Sequence, residues 1–209
     1  MDGLIGKKLG MTQVWDAAGN HVPVTVLEIG PCPVVQVKHR DKDGYDAAQV
    51  GFLPQKPQRL TKAVRTRFEK AGVQPCRKLR EFGIGPEDGL KAGDTLTVGI
   101  FDEVPYVDVT AITKGRGFSG VVRRFGMAGG PSTHGGHSKR RIGSIGERDL
   151  PGWIRKGKSM PGRMGAVRVT ARNLAVVQVR KDDNVLLVRG AVPGPAGAVV
   201  IVRKALRKA

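Results

Sequence analysis

Residues 22–37 read VPVTVLEIGPCPVVQV, and their pattern decides which fold class we expect. Valines at positions 22, 24 and 26 alternate with Pro23 and Thr25, and valines return at positions 34, 35 and 37. Side chains on one face of a β-strand repeat with a period of two, so this alternation is typical of strands. The sequences DAAGN at 16–20 and DKDG at 41–44 have the composition of turns. We therefore predict a meander of short strands from the start of the chain to about Phe52.

Similar segments follow further along the chain. TLTVGIF at 95–101, YVDVTAI at 106–112, and the segments VRVTA, LAVVQVR, VLLVRG and AVVIVRK after Ala166 all have strand composition, with KDDN at 181–184 as a turn. Many short strands at intervals of about 8 to 12 residues indicate a barrel or a sandwich. Residues 59–71 fit either a short helix, capped by Thr61 and ended at Gly72, or irregular structure.

The charge balance indicates the class of partner. The 209 residues include 36 Lys and Arg against 18 Asp and Glu, a net charge of +18. Such an excess attracts polyanions, and nucleic acid is the leading expectation. An anionic membrane is the rival, but the sequence has no basic amphipathic helix with a long apolar face. No signal peptide and no apolar run near the roughly 18 residues of a membrane span are present, so we expect a cytoplasmic protein.

The two cysteines, Cys32 and Cys76, are 44 positions apart and lie outside any C-x-x-C motif. This spacing favours two reduced, packed thiols over a disulfide framework or a zinc site. We expect no metal and no cofactor. The sequence also has no G-x-S-x-G, H-E-x-x-H or Cys/His pair with supporting context, which argues against an enzyme with a small-molecule substrate.

The middle of the chain has a different composition. Residues 114–168 contain 13 Lys and Arg but only Glu147 and Asp149 as acids, and Gly115–Gly165 contains 14 glycines. Without an apolar period, this segment cannot build a core of its own. Because strands resume after it, we interpret residues 114–166 as an insertion between strands of a body formed by residues 1–113 and 167–209. Such a segment is expected to become ordered only against a polyanion. We call residues 114–166 the basic insertion.

The insertion begins with a glycine motif, G-x-G-x-x-G, at Gly115, Gly117 and Gly120. A dinucleotide-binding fold requires a helix directly after the motif and an acid about 20 residues later, and neither is present. The kinase variant of the motif lacks its H-R-D and D-F-G partners downstream. Glycine also lets a backbone approach phosphates, which neighbouring arginines would neutralise. The absence of a recognition helix or zinc finger favours RNA over DNA.

Five further side chains of the insertion fit more than one role. His134 and His137 have the spacing of two metal ligands, but no Cys or carboxylate stands nearby, which favours polar contacts to RNA or solvent. Trp153 fits base stacking and local packing equally well. Arg140 and Arg141 fit phosphate contacts better than a solvated charge run, because so few acids accompany them.

Seven blocks of sequence carry a resemblance to a known family. They read GLIGKKLGMTQVWD, VPVTVLEIGPCPVVQV, DGYDAAQVGF, TKGRGFSGVVRRFGMAGGPSTHG, GSIG, PGWIRKGKSMPGRMG and NVLLVRGAVPGPAG. In order and spacing they resemble the bacterial form of ribosomal protein L-three of the large subunit, from one end of the chain to the other. The resemblance implies a mainly β protein, with a β-barrel of the translation-protein type and a long, glycine-rich basic extension.

The resemblance also implies a function and a set of contacts. It implies a structural, non-catalytic protein that binds 23S rRNA near its 3′ end, helps to nucleate 50S assembly beside the L-fourteen and L-nineteen families, and extends toward the peptidyl-transferase region. Its motif positions imply RNA contacts, and the residue analysis adds Lys139, Arg140 and Trp153. The full candidate set is Lys114, Arg116, Arg123, Arg124, His134, Lys139, Arg140, Arg141, Ser144, Trp153, Lys156, Lys158 and Arg163.

Three positions depart from the family pattern. Ile142 precedes G-S-I-G where proline is frequent, and Pro161 replaces the usual alanine before the last glycine pair. Asp149 occupies the position at which some members carry a methylated glutamine, and it offers no amide to methylate. The alternative functions are a free-standing RNA-binding or nucleoid-type protein and, from another class, a nucleotide-dependent enzyme.

Overall fold

The structure is a computed structural model that describes residues 1–85 and 88–207. Its internal contacts divide the chain into two compact units. The first contains Met1–Ile112 and the chain from Arg168 onward, and the second is Thr113–Val167. The second unit has only two strands of two residues each and one five-residue helix.

Short strands dominate the described chain. They are β1 (Gly3–Trp15), β2 (His21–Ile29), β3 (Cys32–Lys38), β4 (Ala47–Pro54), β5 (Cys76–Gly83), β6 (Thr95–Leu96), β7 (Tyr106–Ile112), β8 (Phe118–Ser119), β9 (Gly162–Arg163), β10 (Arg168–Arg180), β11 (Val185–Arg189) and β12 (Val199–Lys204). The helices are α1 (Arg40–Asp43), α2 (Lys62–Lys70) and α3 (Val121–Phe125), with 3₁₀ turns at Pro57–Arg59 and Val98–Phe101. Within the described residues, no helix has the length or apolar character needed to cross a bilayer.

Six strands close into an antiparallel barrel in the order β1, β12, β7, β10, β11, β2. A second sheet, in the order β5, β4, β3, β6, completes the first unit. The predicted mainly β fold with a barrel is therefore confirmed. Closure leaves no unpaired strand edge in the barrel, which removes the usual site of edge-to-edge aggregation.

Strand β2, which the opening stretch predicts, does not turn its valines toward the main core. Leu27 and Ile29 are fully buried in the main core, whereas Val22, Val24 and Val26 share the other face of the strand. Val24 is also fully buried, so both faces of this strand are covered near its middle. Alternation therefore identifies the strand correctly, but the valines do not mark the face that points into the barrel.

Two other segments differ from the prediction. The strand expected at 95–101 ends after Leu96, and a 3₁₀ turn follows because Val98 and Phe101, three residues apart, are both fully buried. Strand β5 was not predicted, because its exposed Arg77, Lys78 and Arg80 obscure the buried positions at its two ends. The helix fitted to 59–71 exists as the shorter α2, with Gly72 in the left-handed conformation (φ 64°) after it. Thr61 occupies the N-cap position, but its side chain makes no capping hydrogen bond.

Both cysteines are free and buried, as predicted. The Cys32 thiol donates a hydrogen bond to the carbonyl of Ile5 over 3.3 Å. Burial raises the pKa of Cys32 to about 12 and also raises the pKa of Cys76. Because the thiolate is the reactive form, both cysteines act as small apolar core residues.

The second unit is inserted between two paired strands. Strands β7 and β10 are hydrogen-bonded neighbours, with Ile112 opposite Arg168. Their pairing is supported from inside by the fully buried Val107 and Val109 and from outside by a 2.8 Å hydrogen bond between the hydroxyls of Thr110 and Thr170. Every residue of the main core cluster belongs to the first unit.

We propose that residues 1–113 and 167–209 fold without the basic insertion. Replacing residues 114–166 with Asn-Gly, a sequence suited to a two-residue hairpin turn, should leave a cooperatively unfolding β-protein, because the core contacts remain. The measurement is circular dichroism during thermal melting. As a control, Val109→Asp in the shortened chain should abolish cooperative melting, since it buries an unpaired charge. Loss of the β signal in the shortened chain itself would show that the insertion belongs to the folding unit.

Candidate nucleic-acid interface

The insertion leaves and returns through a narrow two-stranded ribbon. The Thr113 amide donates to the carbonyl of Val167, and the Arg116 amide donates to Met164, each over 2.9 Å. The Met164 amide returns a bond to Gly117, also over 2.9 Å, and β8 then pairs with β9. The outgoing and returning segments are therefore held together by backbone hydrogen bonds, although their side chains show no apolar periodicity.

The short helix α3 is tied to the returning strand by one arginine. The Arg124 guanidinium donates to the carbonyl of Met160 over 2.7 Å, and its central carbon lies 4.9 Å from the centre of the Phe125 ring. A Cβ on Gly162 would lie 2.8 Å from the same guanidinium, so a larger residue there would make Arg124 shift from this position. Gly126 then ends the helix in the left-handed conformation, at φ 70°.

The segment beyond the helix is organised by turns and by close contact between two backbones. The Gly130 amide donates to the carbonyl of Lys139 over 3.1 Å, and a Cβ on Gly130 would lie 2.9 Å from the carbonyl of Ser138. The Arg141 amide closes a turn onto the same Ser138 carbonyl. Bare glycine is what allows these two stretches to lie against each other.

The structure exposes nearly all the candidate residues. Arg124 is the exception, since it is half-buried and holds the Met160 carbonyl. Trp153 is 58 % exposed, which leaves much of its ring available. The exposed candidates are Lys114, Arg116, Arg123, His134, Lys139, Arg140, Arg141, Ser144, Trp153, Lys156, Lys158 and Arg163.

Two candidates are brought together beside α3. Arg140 and Arg141 line a shallow cavity of about 470 Å³, whose other walls include Gly120, Val121 and Pro161. An apolar floor with guanidinium groups at its edge suits an unstacked base with its phosphate, which is how proteins commonly hold single-stranded RNA.

Few acids neutralise this surface. Within residues 113–167, all of which the structure describes, the one ion pair joins Arg148 and Asp149 at 3.9 Å, and both side chains are almost fully exposed. An exposed pair of this kind contributes little stability. Apart from Arg124, the remaining cations of the insertion are therefore available to a polyanion.

The two histidines do not come together with further ligands. Across residues 1–85 and 88–207, no three His, Cys, Asp or Glu side chains are grouped closely enough to hold a metal ion. His134 has a positive φ of 56° and stands exposed in a turn. The glycine motif lies in the antiparallel ribbon, with Gly117 at φ 66°. A helix does follow Gly120 directly, which the sequence analysis did not predict, but it has only five residues and two of them are arginines.

Comparisons with known proteins agree with this architecture. The sequence profile of the family described as Ribosomal protein L3 matches residues 90–185. A protein of Brachyspira hyodysenteriae named large ribosomal subunit protein uL3 is 43% identical over 208 residues, which cover 100% of this chain and 96% of that protein. Proteins of the same name from Corynebacterium jeikeium and Deinococcus radiodurans are 45% and 46% identical, covering 98% and 99% of this chain and 94% and 96% of those proteins.

The chain belongs to the ribosomal protein L3 family. This confirms the resemblance given by the seven sequence blocks. L3 proteins are structural components of the large ribosomal subunit, so the chain is not an enzyme. The glycine motif is therefore not a catalytic nucleotide site.

One group of basic residues was absent from the candidate set. Arg172, Arg203 and Arg207 lie with Arg168 and Lys204 along a groove on the first unit, outside the insertion. The polar residues Arg168, Thr170 and Arg172 alternate along β10, and this alternation could have identified the side of the groove that β10 forms. The rest depends on which strands pair, which the sequence pattern alone did not show.

Limited trypsin digestion of the free protein tests how firmly the insertion is held. We expect the first cuts between Arg116 and Arg163, because glycine and like charge oppose collapse there. Arg124→Ala should speed cleavage at Lys139 to Lys158 several-fold, since it releases α3 from Met160. Arg123→Ala, which removes an exposed neighbour, should not. First cuts at Arg65 or Lys91, in the first unit, would contradict this expectation.

Proposed function

We propose that the basic insertion binds 23S rRNA, within the large ribosomal subunit of which L3 proteins are structural constituents. The observation that supports this most directly is the exposure of its cations together with the near absence of acids. Like charges held on one chain repel one another until a polyanion neutralises them. RNA supplies that neutralisation and also offers crevices that an irregular segment can enter.

The candidate residues divide by chemistry. The Arg and Lys side chains contact phosphates, and the arginines can bind two phosphate oxygens at once. His134 and Ser144 supply single hydrogen bonds to the RNA. Arg124 acts mainly by fixing α3, because its guanidinium is already engaged by Met160. Trp153 stacks on an unpaired base through its exposed ring.

The finer assignment follows the family. We propose primary binding near the 3′ end of 23S rRNA, where the protein helps to nucleate 50S assembly beside members of the L-fourteen and L-nineteen families. The insertion then reaches toward the peptidyl-transferase region. A closed barrel that carries its own core supports an early role, since it can fold before the RNA around it is complete.

The arginine pair beside α3 gives the first test. If about eight phosphates are engaged, log K against log[salt] has a slope of roughly −6 to −7, and Arg140→Ala/Arg141→Ala should flatten it by about one to two units. The measurement is a filter-binding titration against a 3′-terminal 23S fragment at several salt concentrations. Arg77→Ala/Arg80→Ala on β5 is the control for charge alone. An unchanged slope in the first variant would mean that these arginines are merely solvated.

The same titration separates specific binding from general RNA binding. A 16S rRNA fragment of equal length should bind more weakly than the 3′-terminal 23S fragment. Equal affinity for both would favour the free-standing RNA-binding protein instead.

Trp153 gives a test with a different signature. Trp153→Ala should weaken binding by about 1–3 kcal/mol while leaving the salt slope nearly unchanged, because stacking displaces no counterions. Trp15→Ala removes another exposed tryptophan, which contacts His21 in the first unit, and should leave affinity unchanged. If the Trp153 variant also binds normally, the ring packs locally and does not contact RNA.

A further inference from the structure

A second concentration of positive charge lies on the outer wall of the barrel. A groove of about 420 Å³ runs over β7, β10 and β12 and the residues after β12. We call it the barrel groove. Its cations are Arg168, Arg172, Arg203, Lys204 and Arg207.

Strand register brings Arg168, Arg172 and Arg203 onto one face. Val107, Val109 and Ala111 of β7 are buried in the core, so the alternate positions of that strand point outward. Asp108 pairs with Arg203, and Thr110 pairs with Thr170. Neighbouring strands lie about 4.8 Å apart, so Arg168 and Arg172 on β10 and Arg203 on β12 flank the Thr110 hydroxyl of β7 across roughly 10 Å.

A bulge in β10 shapes one side of the groove. The register of β10 against β7 shifts between Ala171 and Leu174, and Asn173 takes a positive φ of 54°. The backbone N–H of Asn173 donates a hydrogen bond to the Asp108 carboxylate over 2.7 Å. Bulges commonly redirect a neighbouring side chain, and here the neighbour is Arg172.

The acids of the groove leave most of its charge unneutralised. Asp108 accepts the Asn173 amide, and one oxygen of Asp2 lies 3.9 Å from Arg203. The other oxygen of Asp2 is buried and has no hydrogen-bond partner among the described residues. Among the residues that the structure describes, no acid forms an ion pair with Arg168, Arg172 or Arg207. The floor is polar as well, because Thr110 and Thr170 share one hydrogen bond and keep one hydroxyl hydrogen free to donate.

We propose that the barrel groove is a second RNA-binding site, which holds a sugar-phosphate backbone independently of the insertion. The guanidinium groups of Arg168, Arg172 and Arg207 contact phosphate oxygens, and the free threonine hydroxyl adds a donor. This inference rests on the proposed function, since both require that the chain binds large-subunit rRNA.

A protein partner fits the groove less well. Protein interfaces gain most of their affinity from aromatic and aliphatic anchors buried at the centre. The large apolar side chain in the groove lining is Leu206, which is 92 % exposed at the end of the described chain. Guanidinium groups above a hydroxyl floor instead match the repeating charge of an RNA strand.

The test uses the full-length chain and an in-vitro transcript of bacterial 23S rRNA. Arg168→Ala/Arg172→Ala removes two exposed groove cations, and Arg77→Ala/Arg80→Ala removes two exposed cations from β5. The first pair should flatten the salt slope by about one to two units, and the second should leave it unchanged. Hydroxyl-radical footprinting should show that the groove variant loses protection at nucleotides other than those lost by Arg140→Ala/Arg141→Ala. Matching melting curves confirm that every variant is folded.

The two proposals fail in different ways. The barrel groove site is overturned if the groove variant keeps the wild-type salt slope and footprint. It is also overturned if Arg77→Ala/Arg80→Ala flattens the salt slope as much as the groove variant does. If the groove variant binds RNA normally but no longer joins reconstituted large-subunit particles, an acidic protein is the partner and the RNA assignment is wrong. If Arg140→Ala/Arg141→Ala leaves the slope and footprint unchanged while the groove variant alters both, the RNA contacts proposed for the insertion are wrong and the groove site stands. If the wild-type chain protects no nucleotides, both are wrong.

Discussion

The pairing of β7 with β10 is the constraint on which the rest of this protein depends. The two strands are neighbours in the barrel although the 55 residues Thr113–Val167 separate them in sequence. Closing a long loop costs little more than closing a shorter one, about 0.6 kcal/mol for each doubling of its length. Core burial by Val107 and Val109, together with the bonds from Thr110 and Asp108 on the outer face, holds the register. The main core that supports this pairing contains no residue of the insertion.

Glycine and arginine have complementary roles within that segment. Glycine permits the close backbone contact between Gly130 and Ser138 and the approach of Arg124 to Gly162. Arginine and lysine remain exposed, because the insertion has no core in which to bury their stems and few acids to pair with them. Arg124 departs from this division, since its charge serves to hold the segment together. A motif that resembles a nucleotide cradle thus becomes part of an antiparallel ribbon.

The clustering of positive charge on the first unit depends on which strands pair more than on the local sequence. Arg168 and Arg172 belong to β10, whereas Arg203 belongs to β12, and β7 lies between these strands. Taken alone, β10 alternates polar and apolar residues at 168–172, and β12 is an apolar run that ends in two cations. Only their assembly around β7 concentrates the cations over a hydroxyl floor. By contrast, the basic residues of β5 belong to the four-stranded sheet and lie outside that groove.

The sequence by itself determined the fold class, the family, the basic character of the insertion and most of the strands. These follow from local properties: the period-two alternation around Val24, the turn residues, and the charge and glycine content after Thr113. The tertiary structure alone decided which face of β2 points into the barrel, because Val24 and Leu27, on opposite faces, are both fully buried. It also decided that Val98 and Phe101 share a 3₁₀ turn, that β5 joins a sheet, and that Arg124 ties two segments together. Those outcomes depend on which distant segments come into contact, and a short-range pattern carries no information about that.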